Sequence, residues 1–432
     1  WRLPGSGRPG RGLAAPTSDP AARGRGSRPS PGLTAARRGG YRRGVETVSG
    51  RESGGHLPDT GPVWDEGGAL DLPALDGDVT ADVCVVGLGG SGLAAVREAR
   101  ARGLSVVGLD AVGVGAGAAG RNGGFLLAGL AAFHHDAVRS LGAARATALY
   151  RLTLAELDAM EDLTPGLVRR TGSLRVAASA EELADCGEQL ARMREDGLPA
   201  EPYAGPEGEG LLFPEDRVFD PLARCRRLAS LAAAEGAALY GGTPAVDVAA
   251  GAVTTPGGRV SCGAVVVAVD GRLERLLPEL AGRVRTARLQ MLATAPTGEV
   301  RLPRPVYRRY GFEYYQQLPN GRLVFGGFRD RGGDGEWTAD ARPHEAVQTL
   351  LERYLRDELG VTAPITHRWA ASVGYSRGVL PVFARLRGGV VAIGGYSGTG
   401  NVVGAVLARE AVAAAVGDDE GLSGLFDLVE LG

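Results

Sequence analysis

The segment ADVCVVGLGGSG (81–92) constrains the fold more than any other stretch of the chain. Its first half is a short β-branched apolar run, the pattern of a strand buried on both faces. Its second half places Gly87, Gly89 and Gly92 in a G-x-G-x-x-G spacing. Helical sequence runs from Leu93 to Arg102, with Gly103 as a C′ residue, and LSVVGLD (104–110) is a second apolar strand. This is a β-α-β unit built to receive a dinucleotide. The first glycine permits the tight turn, the second admits a pyrophosphate, and the third lets helix and strand pack closely. The helix N-terminus offers free N–H groups and partial positive charge to phosphate oxygens. Asp110 ends the second strand, where a carboxylate can accept hydrogen bonds from a ribose diol. An acid there disfavours a 2′-phosphate and with it NADP, and leaves NAD and FAD open.

Five residues on, GAGAAGRNGG (115–124) is half glycine and retains one cation and one amide. Such a loop lets backbone N–H groups lie against a flat ring or a phosphate without Cβ clashes. Arg121 can neutralise an anion and Asn122 can bond polar atoms of ring or backbone.

Beyond it the chain alternates strands and helices. GSLRVA (172–177), AALY (237–240) and AVVVAV (264–269) read as strands, and Glu181–Glu195 and Asp220–Glu235 as helices. The segment 286–330 is strand-rich and aromatic, with a hairpin turn at Pro319-Asn320-Gly321. His344–Leu359 is an amphipathic helix. GVVAIGGYSGTG (389–400) is a strand and a second glycine loop, followed by a helix from Asn401 to Val416.

The set GLGGSG, LD and GAGAAGRNGG resembles the FAD-dependent D-amino-acid oxidase and glycine/sarcosine oxidase superfamily, most closely its γ-glutamylputrescine oxidase-like amine oxidoreductases. Ala119-Gly120-Arg121-Asn122-Gly123-Gly124 is similar to that branch's GxSGRNGG, with Ala119 at the usual Ser. The resemblance spans about Trp64 to Val416. It implies an α/β (α+β overall) fold: a Rossmann-like FAD-binding domain, discontinuous in sequence (61–165, 214–285 and 368–432), with an inserted antiparallel-sheet substrate domain (166–213 and 286–367). It places Arg121, Asn122, Gly123 and Gly124 along the flavin and Val246 at the adenine. Gly395, Gly398, Thr399, Gly400 and Asn401 fall at the pyrimidine edge, where a helix end can stabilise the charge of a reduced ring. Tyr310, Tyr314 and Trp369 are the implied catalytic-pocket residues. Phe312, Tyr315 and Tyr396 are further candidates for its wall, with Arg308 or Arg309 for a substrate carboxylate.

The implied reaction is oxidation of a C–N bond of a small amine or amino acid by hydride transfer to flavin, with hydrolysis of the imine. An aromatic wall suits an amine. A dehydrogenase of a 2-hydroxy acid or polyol on the same fold, and a non-catalytic flavin-binding subunit, are the alternatives. Gly378 stands where the branch often has Asp, and no His accompanies Thr399. No Cys follows Cys262 and no His lies between 57 and 133, so the FAD is expected to be non-covalent. All 48 basic residues are Arg. The Lys that promotes oxygen reaction in sarcosine-oxidase relatives is therefore missing, and the acceptor is either oxygen or another oxidant.

Charge is uneven. Residues 1–60 hold 11 Arg against four acids, +7, and the remainder carries −9 of the net −2. This Arg/Gly/Pro-rich tail lacks apolar periodicity and is expected to be disordered, with order beginning near Pro62-Val63-Trp64. The opening Trp suggests translated upstream sequence, with Val45 or Val48 as the true start. No nucleic-acid partner is expected, an RG-rich nucleic-acid arm being the alternative reading of the tail, and no membrane partner, since no apolar run approaches the ~18 residues of a membrane helix. Cys84, Cys186, Cys225 and Cys262 show no CxxC spacing and read as buried thiols of a cytoplasmic protein. The five His show no ligand spacing, His134-His135 reads as solvated helix surface, and no metal site is expected.

Overall fold

A computed structural model describes residues 55–68 and 70–431. The apolar runs become the centre of a nine-stranded sheet. Val79–Val86 lies between Val106–Leu109 and Gly258–Val267, and the latter pairs with Val390–Gly394, all in parallel. Ala238–Tyr240 extends the parallel set beyond Val106–Leu109. Strands buried on both faces need two covering layers. On one side the helices Gly90–Ala101 and Gly400–Ala415 pack through Leu93, Val96, Val403 and Leu407. On the other lie the hairpin residue Val253 and the short helical segment carrying Leu273, Leu277 and Leu280.

The second sheet has eight strands in the order Ile365–Ser376, Val284–Thr294, Leu323–Gly327, Glu313–Gln317, Val306–Arg308, Ser173–Val176, Gly208–Phe213 and Glu201–Gly205. Its neighbours are antiparallel except Val306–Arg308 beside Ser173–Val176. Side chains alternate across it. Leu292, Tyr315 and Phe325 face the helix Glu345–Asp357, packing on Val347, Leu351 and Leu355. Met291, Tyr314 and Trp369 face the other way, onto Phe125 and Trp64. The expected discontinuous α/β domain and inserted antiparallel sheet are both present. The strand Ile365–Ser376 runs across the expected 367/368 boundary, because it pairs with Val284–Thr294 along its length.

Two expectations are corrected here. The first helix begins at Gly90, not Leu93, because Gly90-Ser91-Gly92 form its first turn. Most of the tail lies outside the described residues, but residues 55–60 are seated on the body. Leu57 N–H donates to Pro343 O (2.9 Å), and Thr60 exchanges hydrogen bonds with the Arg368 backbone (3.0 and 2.9 Å). Backbone pairing and an ion pair from Asp59 to Arg121 order a stretch whose composition alone would leave it loose. Cys84, Cys186 and Cys225 are buried thiols and Cys262 is half-buried. No helix among the described residues is long and apolar enough to cross a membrane.

Candidate active site

The dinucleotide turn shows why its glycines are needed. Gly87 has φ +102°, and a Cβ there would lie 2.6 Å from Ala268 O. A Cβ on Gly92 would lie 1.8 Å from Gly87 O, so the helix presses directly on the turn. A Cβ on Gly89 would meet Ala119 Cβ at 3.2 Å, which brings the 115–124 loop beside the turn. No side chain caps the N-terminus of Gly90–Ala101 or of Gly400–Ala415. Both therefore present first-turn N–H groups to an external acceptor. A Cβ on Gly90, Gly117 or Gly398 would meet nothing within 4 Å, so the backbone there is open to a ligand. Asp110 accepts from Leu88, Val112 and Gly113 N–H, each at 2.9 Å. A carboxylate has about four lone-pair positions, so its orientation is fixed while capacity remains for a ribose hydroxyl. These residues fit FAD.

The loop Gly115–Gly124 is held by its carbonyls. Arg121 O accepts from Trp369 Nε1 (2.8 Å) and Asn122 O from Trp64 Nε1 (2.9 Å). Gly123 O and Gly124 O accept from Gln316 Nε2. Four consecutive carbonyls are thus tied to the substrate sheet and the N-terminal segment. Gly124 has φ +75°, and its Cβ would lie 2.7 Å from Phe219 O, so no larger residue fits. Asn122 stitches the two glycine segments together. Its Nδ2 donates to Ala119 O (2.8 Å) and Asn401 Oδ1 (3.1 Å), its Oδ1 accepts from Gly124 N–H (2.9 Å), and Asn401 Nδ2 donates to Phe125 O (3.0 Å). Asp270 does the same for the second loop, accepting from Gly374 N–H and Gly395 N–H at 2.9 Å. Burial pushes its carboxyl up to about 6 against the pull of those N–H groups. Asp59, Trp64, Asp270 and Gln316 escape a motif search, because each acts through a partner far away in sequence.

Several expected roles change. Arg121 pairs with Asp59 and donates to Ala370 O (2.8 Å), so its guanidinium braces the N-terminal segment against the sheet. Val246 is exposed and its N–H is taken by Thr254 O (2.9 Å), the first rung of a surface hairpin. Arg308 and Arg309 both reach the buried Glu313, at 3.1 and 2.7 Å. Two adjacent strand residues should point apart, but Arg309 at φ +53° breaks the strand and lets both converge. Trp369 is fully buried beneath the loop. Tyr310 donates to Asp185 (2.8 Å) on a neighbouring helix, and Tyr315 and Tyr396 are core residues, the latter between the two dinucleotide-domain helices. Of the three catalytic candidates, Tyr314 and Trp369 meet beside the loop and Tyr310 stands apart.

A cavity opens where the chain leaves the loop. Leu127–Leu130, Tyr150, Arg175, Asp216 and Tyr307 line it. Tyr307 stacks on Tyr314 (centroids 5.7 Å, 22°), and Tyr314 lies 3.4 Å from a Cβ built on Gly123. The cavity is thus one aromatic layer from the glycine loop. Arg175 sits over Phe133 (4.3 Å) and Phe213 (6.0 Å) and forms no ion pair among the described residues. Asp216 bonds Ser173 Oγ and Ala128 N–H, and burial pushes its carboxyl up to about 6. His134 and His135 are buried rather than solvated, because their helix is wedged against Ala143–Leu163 and Ala180–Glu195. His134 Nε2 lies 2.7 Å from Asp196, a carboxyl that Arg192 and His134 hold down at about 2.

Parallel strands with two uncapped helix ends, an acid held by three backbone N–H groups, and a second, largely antiparallel sheet form the architecture of a dinucleotide-binding protein with an added sheet domain. The family model described as FAD dependent oxidoreductase (DAO) matches residues 82–414, and the chain belongs to that family. FAD is its cofactor and the protein is an enzyme of this type. Among similar proteins, a probable oxidoreductase OrdL of Rhizobium meliloti is 27% identical over 366 residues, 76% of this chain and 81% of that one. The gamma-glutamylputrescine oxidoreductase of Escherichia coli is 25% identical over 369 residues, with the same coverage. The crystal structure of glycine oxidase from Geobacillus kaustophilus superposes with a TM-score of 0.65 at 21% identity, covering 81% of this chain and 97% of that one.

Proposed function

We propose that this enzyme oxidises a C–N bond of a small amine or amino acid, passing hydride from the carbon beside nitrogen to FAD, with the imine hydrolysed afterwards. The observation that carries this reading is the cavity beside the glycine loop, walled by Tyr150 and Tyr307, with the cation Arg175, which forms no ion pair among the described residues, inside it. One similar protein, a gamma-glutamylputrescine oxidoreductase, supports the reading by its name. Non-covalently bound FAD supplies the two-electron acceptor. The chain's own residues bind, orient and exclude water. Gly87–Gly92, Asp110 and the helix end at Gly400-Asn401 hold the dinucleotide. Trp64, Gln316 and Trp369 fix the loop that would lie along the ring, and the stacked Tyr307 and Tyr314 would exclude water from the reacting carbon. Arg175 orients a carboxylate at the far end of the substrate. No nucleophile is required.

Anaerobic stopped-flow bleaching of the flavin by matched amines and 2-hydroxy acids tests this. Amines should reduce it, faster as pH rises toward the bound amine's pKa, because only the neutral nitrogen has a lone pair to support hydride loss. Arg175→Gln should raise KM for amino acids more than for simple amines. Reduction by hydroxy acids alone would replace C–N with C–O oxidation. With no Lys in the chain, an artificial acceptor should outpace oxygen in the reoxidation step.

A further inference from the structure

We propose that His135, Asp185 and Glu188 form a binding site for a divalent first-row transition ion of the Zn2+ type, between the helices His134–Leu141 and Ala180–Glu195. Each residue offers one ligand atom, and these atoms lie within 4.8 Å of one another. Asp185 and Glu188 are three apart on one helix and so share a face. His135 supplies the borderline donor that distinguishes such a site from a cluster of surface acids.

The independent observation is His135 itself. Its side chain is 7% exposed, and both ring nitrogens are buried without a hydrogen-bond partner among the described residues. A buried imidazole normally bonds through at least one nitrogen. Here Nε2 points at carboxylate oxygens, 3.7 Å from Glu188 Oε2 and 3.8 Å from Asp136 Oδ2. Donors around a tetrahedral zinc, at about 2.0–2.2 Å from it, stand roughly 3.3 Å apart, so small side-chain shifts suffice. Asp185 already has an outer partner, Tyr310 Oη at 2.8 Å, of the sort that orients a ligating carboxylate.

Charge favours a dication. Asp136, Asp185 and Glu188 surround the imidazole, while Arg139 bonds Asp136 and lies 3.3 Å from Glu188. The Arg139 side chain is 54% exposed, free to swing out when a metal arrives. It is therefore the competitor for the site, and its removal should tighten binding. The five His give no ligand spacing along the sequence because the set is split between helices about 50 residues apart.

The test is titration of the chelator-treated, FAD-loaded full chain with ZnCl2 and NiCl2 by calorimetry, with MgCl2 as the hard-cation control and Tm read in parallel. One equivalent of Zn2+ or Ni2+ should bind and raise Tm, and Mg2+ should do neither. Glu188→Gln, at a side chain 60% exposed and safe for folding, should weaken binding at least tenfold. Arg139→Ala should strengthen it several-fold, and His135→Ala should abolish it. Absence of stoichiometric binding overturns the proposal. So does binding that is the same in the wild type, Glu188→Gln and Arg139→Ala, which would place the ion elsewhere, for instance at His56 and His344.

Discussion

Trp369→Phe separates two roles for the most buried aromatic residue near the glycine loop. The substitution keeps an apolar ring in the slot and removes the indole N–H, which donates to Arg121 O at 2.8 Å. The slot is fully buried, so water does not replace the donor, and a stranded carbonyl costs about 1–3 kcal/mol. The smaller ring leaves a void on the order of 40 Å3, which at ~24 cal/mol per Å3 adds about 1 kcal/mol. The total is ~2–4 kcal/mol of local stability. If the loop must be restored to seat the cofactor, that loss enters the FAD dissociation constant, at most roughly 30- to 1000-fold. Tm of the apoprotein and fluorescence titration with FAD measure both effects, and anaerobic reduction of FAD-saturated enzyme measures chemistry. A positioning residue lowers Tm and FAD affinity and changes the reduction rate per bound flavin little. Unchanged Tm and FAD affinity with a hundredfold slower reduction would refute the anchoring argument and return Trp369 to the substrate pocket.

A chain beginning at residue 61 should hold FAD more weakly than one beginning at residue 55, because it lacks the Asp59 partner of Arg121; equal affinities measured by equilibrium dialysis would count against that brace. Asp216 has a folded pKa of about 6 against an ordinary 3.8, so its contribution to stability is fully present below pH ~4 and lost as pH rises through about 6, by about 3 kcal/mol. Asp216→Asn should accordingly flatten part of the decline in Tm between pH 4 and 6, and an unaltered profile would show that another group carries it. Gly92→Ala should cost several kcal/mol and abolish FAD binding, since its Cβ would sit 1.8 Å from Gly87 O, whereas Gly90→Ala, with open space around it, should fold with normal Tm. Acid precipitation should leave all FAD in the supernatant; a yellow pellet would show a covalent link.

Local patterns were legible in the sequence, and long-range partnerships were not. The strand, glycine turn and helix that begin the β-α-β unit follow from period and glycine spacing, short of the helix's first turn at Gly90–Gly92, whereas Tyr314 and Tyr315, both candidates for one pocket wall, are sent to opposite faces by strand alternation. The aromatic hairpin of 313–327 forms around its Pro-Asn-Gly turn for the same reason. Arg308 and Arg309 were misjudged because a positive φ at an arginine leaves no mark in composition. His134 and His135 look like surface until the helices on either side close over them. Gln316 is an ordinary strand glutamine by sequence, and only its approach to carbonyls 193 and 192 residues away gives it a role. The same holds for Asp59, whose charge belongs by composition to the loose tail.

This division has a physical origin in the loop itself. A segment that is half glycine has more backbone freedom to lose than any other, so it cannot hold one shape unaided. Its order comes from Trp64, Gln316 and Trp369, which lie on separate segments before, within and at the edge of the substrate sheet. Asn401 adds a tie from the second glycine loop. The loop backbone therefore takes its shape only when the antiparallel sheet has docked on the parallel one. The glycines leave room along the loop, and the anchors, drawn from 58 to 279 residues away, decide where that room is.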